Sequence, residues 1–183
     1  MPTTCRKGRP ASPLRKIDID RLREVLDYDA KSGLFYWKVR LADCIHVGDE
    51  AGCEVTLAKG KKYIWIRFDG VLHQAHRLAW AHHYGEQPPR RIDHEDGDGC
   101  HNWIGNLRKA TQSQNCANMR KTIRSATGLR GVYPYGTTGR RFEAKAMKDY
   151  KPVRFGVFDN PEEAYAAYCV GMKTLFGEFA SVV

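Results

Sequence analysis

Apolar and polar positions change period along this chain, and each change predicts an element. Over "IDIDRLREVLDY" the residues Ile17, Ile19, Leu22, Val25 and Leu26 recur at helical spacing, with Asp18 or Asp20 placed to cap the first turn. "GLFYWKVR" is aromatic and β-branched, the composition of a strand. In "KKYIWIRFDGVLHQ" Tyr63, Trp65 and Arg67 alternate with Ile64, Ile66 and Phe68, and Asp69-Gly70 supplies a hairpin turn. "AHRLAWAHHYG" follows as a short helix, stopped by Gly85 and kept from continuing by Pro88-Pro89.

At residue 90 the pattern changes. "RRIDHEDGDGCHNWIGNLRKATQSQN" predicts a strand ending in Ile92-Asp93-His94, a turn-rich loop and a second short strand at Asn106-Leu107-Arg108. Thr111 then caps a helix running "QSQNCANMRKTI". "SATG" at 125–128 is a polar joint. Beyond it, "RGVYPY", "RFEAKAMK" and "VRFGVF" predict three strands. "NPEEAYAAYCVGMKTLFG" predicts an amphipathic helix with an Asn160 cap, Pro161 in the first position, Glu162 and Glu163 in the first turn, and Gly177 at its stop. Ala164, Tyr165, Tyr168, Val170, Met172 and Leu175 are its expected core residues. The sum is an α+β chain. A flexible basic arm is expected at 1–13, a mixed unit at 14–124 with a strand–strand–helix centre at about 90–122, and a three-stranded-sheet-plus-helix module at 129–183.

Composition narrows the setting. With 183 residues, 42% hydrophobic and 11% aromatic, the chain can build a real core. No apolar run approaches the roughly 20 residues of a membrane span. The basic N-terminus has no apolar segment behind it, so no secretory signal and no membrane are expected, and the expected setting is the cytoplasm. The six cysteines are scattered without a C-x-x-C pair and read as free thiols. A structural zinc site from Cys44, Cys53, Cys100 and His101 is conceivable but not expected.

Charge points to the partner. The net charge of +9 predicts a polyanion, most often nucleic acid. Between Cys100 and Phe142 there is no acidic residue, while Arg108, Lys109, Arg120, Lys121, Arg124, Arg130, Arg140 and Arg141 all fall there. Such a stretch repels itself unless something anionic lies against it.

The stretch at 93–118 carries the candidate chemistry. A hard divalent cation takes oxygen ligands, and Asp93 with an asparagine carbonyl offers two. Asn115 and Asn118 are three apart and share a helix face, so either can serve. A histidine titrates near neutrality, which suits His94 to take a proton from an attacking water. Asn106 is placed to hold the loop or the imidazole. The competing reading is a turn-rich hairpin with incidental polar residues.

"IDHEDGDGCHNWIGNLRKATQSQNCANMR" resembles the HNH endonuclease family, whose ββα-metal motif reads Asp-His, then Asn-Leu about a dozen residues on, then Asn or His on the following helix. "AHRLAWAHHYGEQPP" and "LDYDAKSGLFYWK" resemble the lead-in of phage and intron-borne members. The resemblance implies His94 as general base, Asp93 and Asn115 as metal ligands with Asn118 as the alternative, and Asn106 as the residue that fixes loop and histidine. It gives Arg77, beside His76, as a phosphate or structural contact. The last family position is asparagine here, as in many homing-type members.

"LRGVYPY", "RRFEAKA", "VRFGVFDNPEEAYAAY" and "LFGEFA" resemble the AP2 DNA-binding domain, whose three-stranded sheet enters the major groove. The matching sheet positions are Arg130, Tyr133, Tyr135, Arg141, Lys145, Met147 and Arg154. Tyr133, Met147 and Arg154 depart from the family's usual residues, so no base preference carries over. Together these resemblances imply a metal-dependent, phage-encoded, homing-like DNA endonuclease that nicks or cuts both strands. It would use Mg²⁺, with Mn²⁺ as the alternative, and act on double-stranded DNA in the host cytoplasm; the sequence does not give the oligomeric state, and a monomer is favoured. Arg120, Lys121 and Arg124 complete the expected DNA contacts. A DNA-binding regulator with an inactive motif is the rival class, and a structural RNA-binding protein is a third.

Overall fold

Asp18 opens the first helix because its carboxylate accepts a hydrogen bond from Arg21 N, one of the donors a helix start leaves unpaired. The computed structural model describes residues 16–119, 126–137 and 139–181. The chain divides between Lys109 and Ala110 into two compact units.

In the first unit α1 (Ile19–Val25) ends one residue before Leu26, the last of the apolar positions at helical spacing. Leu26–Tyr28 is strand β1, with its ends buried and its middle exposed, and it pairs antiparallel with β2 (Phe35–Trp37). Leu26 thus faces the core from a strand, where period-two alternation suits "LDY" as well as a helical stripe does. The turn of this hairpin needs Gly33. Its φ is +79°, and a Cβ there would lie 2.2 Å from Trp103 N and 2.4 Å from the carbonyl carbon of Asn102.

Strands β3 (Cys53–Thr56), β4 (Lys62–Phe68) and β5 (Val71–Gln74) form an antiparallel sheet in that order. Asp69 and Gly70 make the β4–β5 turn with φ of 45° and 73°, as Asp-Gly between alternating strands requires. Strand β3 has no strong signal of its own, since "CEVT" is short and only half-buried. Helix α2 (Ala75–Tyr84) closes at Gly85, whose left-handed backbone lets its N–H donate to Ala81 O. Leu22, Val25, Leu26, Phe35, Ile66, Leu78 and Ala79 interlock in one core, which also takes Leu107. Strands β6 (Ile92–His94) and β7 (Leu107–Lys109) pair antiparallel, with Asp93 opposite Arg108 and His94 opposite Leu107.

The second unit begins with α3 (Gln112–Asn118). Thr111 and Gln114 form a reciprocal capping box there: Gln114 N donates to Thr111 Oγ1 and Thr111 N to Gln114 Oε1. The three strands that the sequence predicts, β8 (Val132–Tyr135), β9 (Arg141–Lys148) and β10 (Lys151–Phe158), form one sheet, and its order is β10-β9-β8. Helix α4 (Pro161–Phe176) starts on Asn160, whose side chain accepts from Glu163 N. Its Ala164, Tyr168, Met172 and Phe176 pack on Val132 and Ala144. Val170 is corrected from the expected core: it is 67% exposed. It lies about 200° round the axis from Tyr168, off the stripe of residues four apart that the sheet covers. Tyr165 and Leu175 flank the core, half-buried.

Helix α3 is tied into this same unit. Ala117 belongs to its core, Arg130 Nη2 donates to Ala117 O, and Ser113 Oγ donates to Asp149 Oδ1. Among the described residues no helix is long and apolar enough to cross a membrane. The arm at 1–13 lies outside the described residues.

Candidate active site

The β6–β7 hairpin gathers three of the predicted residues in the first unit. Asp93 and His94, at the end of β6, are 4% and 6% exposed, and Asn106, just before β7, is 4% exposed. Three polar side chains at that depth need partners.

Asp93 has one directly across the ladder. Arg108 Nε donates to Asp93 Oδ2 at 3.0 Å, and Nη2 lies 3.0 Å from the same oxygen. Neither side chain is more than 14% exposed. Nothing in the spacing singles Arg108 out, because only the register of the hairpin sets it opposite Asp93.

His94 Nε2 donates to Asn102 Oδ1 at 3.2 Å. Asn102 is itself 2% exposed, and its Nδ2 donates to Cys100 O, which aims Oδ1 at the imidazole. Because Oδ1 can only accept, Nε2 holds the proton, and in the neutral ring the lone pair sits on Nδ1. Burial pushes the His94 pKa below its usual 6.5, while the bond to Asn102 acts the other way. The ring is therefore neutral at neutral pH, the state a proton acceptor needs.

Asn106 was expected to hold either the loop or the imidazole, and it holds the loop. Its Nδ2 donates to Asp96 Oδ1 and to His101 O, and its Oδ1 accepts from Asp96 N. Asp96 in turn accepts from His101 Nδ1 at 2.6 Å and from Asp98 N. The imidazole's amide partner is Asn102, which sequence reasoning passed over. The first hairpin steadies that residue: Tyr28 Oη donates to Asn102 O at 2.7 Å, and Ile104 N donates to Ala30 O. The close approach at Gly33 is what admits these contacts.

His76, from α2, sets its ring perpendicular to that of His94 with centroids 5.1 Å apart. It is buried, its Nδ1 has no hydrogen-bond partner among the described residues, and burial followed by His94 holds its pKa well below 6.5. Tyr63 adds a third ring, 6.3 Å from His94. The four closely spaced histidines of this region thus divide: His76 joins the site, while His82 bonds Leu26 O. Arg77 donates to Pro89 O and Pro88 O, so its guanidinium holds the chain leading into β6.

Asn115 and Asn118 lie in α3, on the second unit; Asn115 is half-buried and Asn118 buried. Among the described residues no three His, Cys, Asp or Glu side chains cluster to hold a metal. The donor chemistry nonetheless fits a hard divalent ion, which takes carboxylate and amide oxygens together with phosphate and water.

On the outer face of the second unit's sheet, opposite Val132 and Ala144, stand Tyr133, Tyr135, Arg141, Lys145, Met147 and Arg154. Arg130 is engaged elsewhere, donating to Ser181 O and Ala117 O. Arg120, Lys121 and Arg124 lie outside the described residues.

A family model described as HNH endonuclease matches residues 73–117, about a quarter of the chain. The match contains Asp93, His94, Asn106 and Asn115 and ends one residue before Asn118. It points to nuclease chemistry on DNA in general. No curated protein and no solved structure matches the chain.

Proposed function

We propose that this protein is a metal-dependent DNA endonuclease, in which His94 is the general base and Asp93 a metal ligand. The buried, neutral His94, directed through Asn102 and adjacent to Asp93 within the matched segment, carries this reading. Its Nδ1 takes the proton from a water attacking the phosphodiester phosphorus, and Nε2–H keeps its bond to Asn102 as the ring becomes cationic. Asp93 supplies a carboxylate oxygen to the cation, and Arg108 fixes that carboxylate in place. A bound divalent ion stabilises charge on the phosphate and the leaving oxygen, and Mg²⁺ is the proposed ion, with Mn²⁺ the alternative. The resemblance to HNH enzymes assigns Asn115 as a second oxygen ligand, with Asn118 as its rival. Asn106 acts on the loop that carries Asn102. The sheet face of the second unit is proposed to hold double-stranded DNA through Tyr133, Tyr135, Arg141, Lys145 and Arg154. Phage origin, a homing-like role and a monomeric state belong to the same proposal.

Plasmid cleavage at low salt tests it. Nicking or linearisation with Mg²⁺ or Mn²⁺ that EDTA stops is expected; firm DNA binding without cutting under either metal would favour the regulator instead. A second expectation concerns Asn102. Asn102→Ala should slow cleavage about tenfold, the loss of one buried hydrogen bond that orients the base. Because that bond raises the His94 pKa, its removal should also move the acid limb of the pH–rate profile to lower pH. A limb that stays in place while the rate falls would mean that Asn102 acts only on the loop.

A further inference from the structure

Glu143 sits in the middle of an otherwise basic sheet face. It is 8% exposed, in β9, opposite Tyr133 of β8 and Val157 of β10. An acid here weakens attraction for a polyanion unless it does something else. Its two oxygens are divided: Oε2 accepts from Lys145 Nζ and Oε1 from Arg154 Nε. Those bonds, Lys145 first, hold its pKa below the usual 4.5, so it is a carboxylate at neutral pH.

The two cations are also stacked. Lys145 Nζ lies 5.0 Å from the ring centroid of Tyr133, and Arg154 Cζ lies 5.0 Å from that of Tyr135. Their side chains remain 39% and 52% exposed, while that of Glu143 is 11% exposed beneath them. The register shifts between Arg154 and Gly156, so a β-bulge directly follows the arginine. Phe155, at the bulge, packs into the core behind the sheet. The carboxylate takes Nε of the guanidinium and one of the three ammonium hydrogens, so these two bonds leave the Nη donors and two ammonium hydrogens uncommitted to it.

We propose that Glu143 is a positioning residue of the DNA-binding face, holding Lys145 and Arg154 over Tyr133 and Tyr135 so that their outer donors meet phosphate oxygens already arranged. This rests on the reading of the sheet face as a DNA contact. Glu143 touches no DNA itself. It removes side-chain freedom that two long cations would otherwise lose on binding.

The test is the affinity of the full chain for a mixed-sequence DNA duplex, in EDTA so that nothing is cut, over a range of salt. Coulomb's law alone predicts that Glu143→Gln, which removes a negative charge from a basic face, binds more tightly. Positioning predicts the reverse: about threefold to tenfold weaker binding, the range expected when one or two long side chains must be ordered on association. Unchanged or tighter binding by Glu143→Gln overturns the proposal. The double variant Lys145→Ala/Arg154→Ala tests the underlying reading: if it binds DNA like the wild type, this face is no DNA contact and the proposal falls with that reading. Where the double variant does bind more weakly, adding Glu143→Gln to it should change nothing further. A further loss of equal size would mean that Glu143 acts through the fold, which thermal melting of the same proteins would register, and would also overturn positioning.

Discussion

With His94 replaced by alanine, plasmid cleavage should fall about 10²–10⁴-fold, the usual contribution of a positioned general base, while affinity for the same DNA in EDTA stays within a factor of about two of wild type, as expected when a group serves the transition state rather than ground-state binding. His94 is buried beside His76 and Tyr63, so the truncation leaves a small void in a ring cluster as well as removing the base. His94→Gln separates the two effects: it fills much of the void and still has no group that titrates near neutrality. If either variant cuts at the wild-type rate, His94 is not the base. Equal losses of cutting and of DNA binding would instead mark it as part of the scaffold.

The second large effect is expected at Arg108. Arg108→Ala leaves the Asp93 carboxylate, 4% exposed, without its cross-strand cation. Breaking a buried pair by removing one member costs about 3–5 kcal/mol, because the remaining charge is stranded. Urea unfolding should show this as a lower midpoint at an unchanged slope. Asp93→Asn in the same protein should recover part of the loss, since the charge that Arg108 balanced is then gone. A drop below about 1 kcal/mol, the size of an ordinary surface pair, would mean that Asp93 is compensated by other contacts. Arg108 thus belongs to the site through the charge it balances.

Much of this arrangement is legible in the chain. Asp-Gly at 69–70, Gly85 after an amphipathic run, the Thr111 cap and the Asn160-Pro161 start are local rules, and each element begins or turns where they place it. Asp93, His94 and Asn106 stand out because polar residues cluster after an apolar Ile92. What local rules miss are relations across distance. Arg108 meets Asp93 only through strand register. Asn102 meets His94 through a loop that Asn106 holds from within and that Tyr28, 74 residues earlier, helps to pin. His76 is one of four neighbouring histidines until α2 turns it toward β6. Glu143 looks like a solvated charge in "RFEAKAMK" until the sheet surrounds it with Lys145 and Arg154. Val170 fails for the opposite reason: its hydrophobicity suggested burial, but its angular position decides.

Helix α3 carries Asn115 and Asn118, yet its hydrophobic anchor Ala117, its Arg130 clasp and its Ser113–Asp149 link all lie in the second unit. Exchange of segments between related genes therefore has a natural seam at Lys109/Ala110, ahead of the helix. A chimera joined at 125–128, where the sequence looks most like a linker, would inherit the helix without the side chains that seat it. One joined before Ala110 would receive a helix already seated, together with whichever residues its donor carries at 115 and 118.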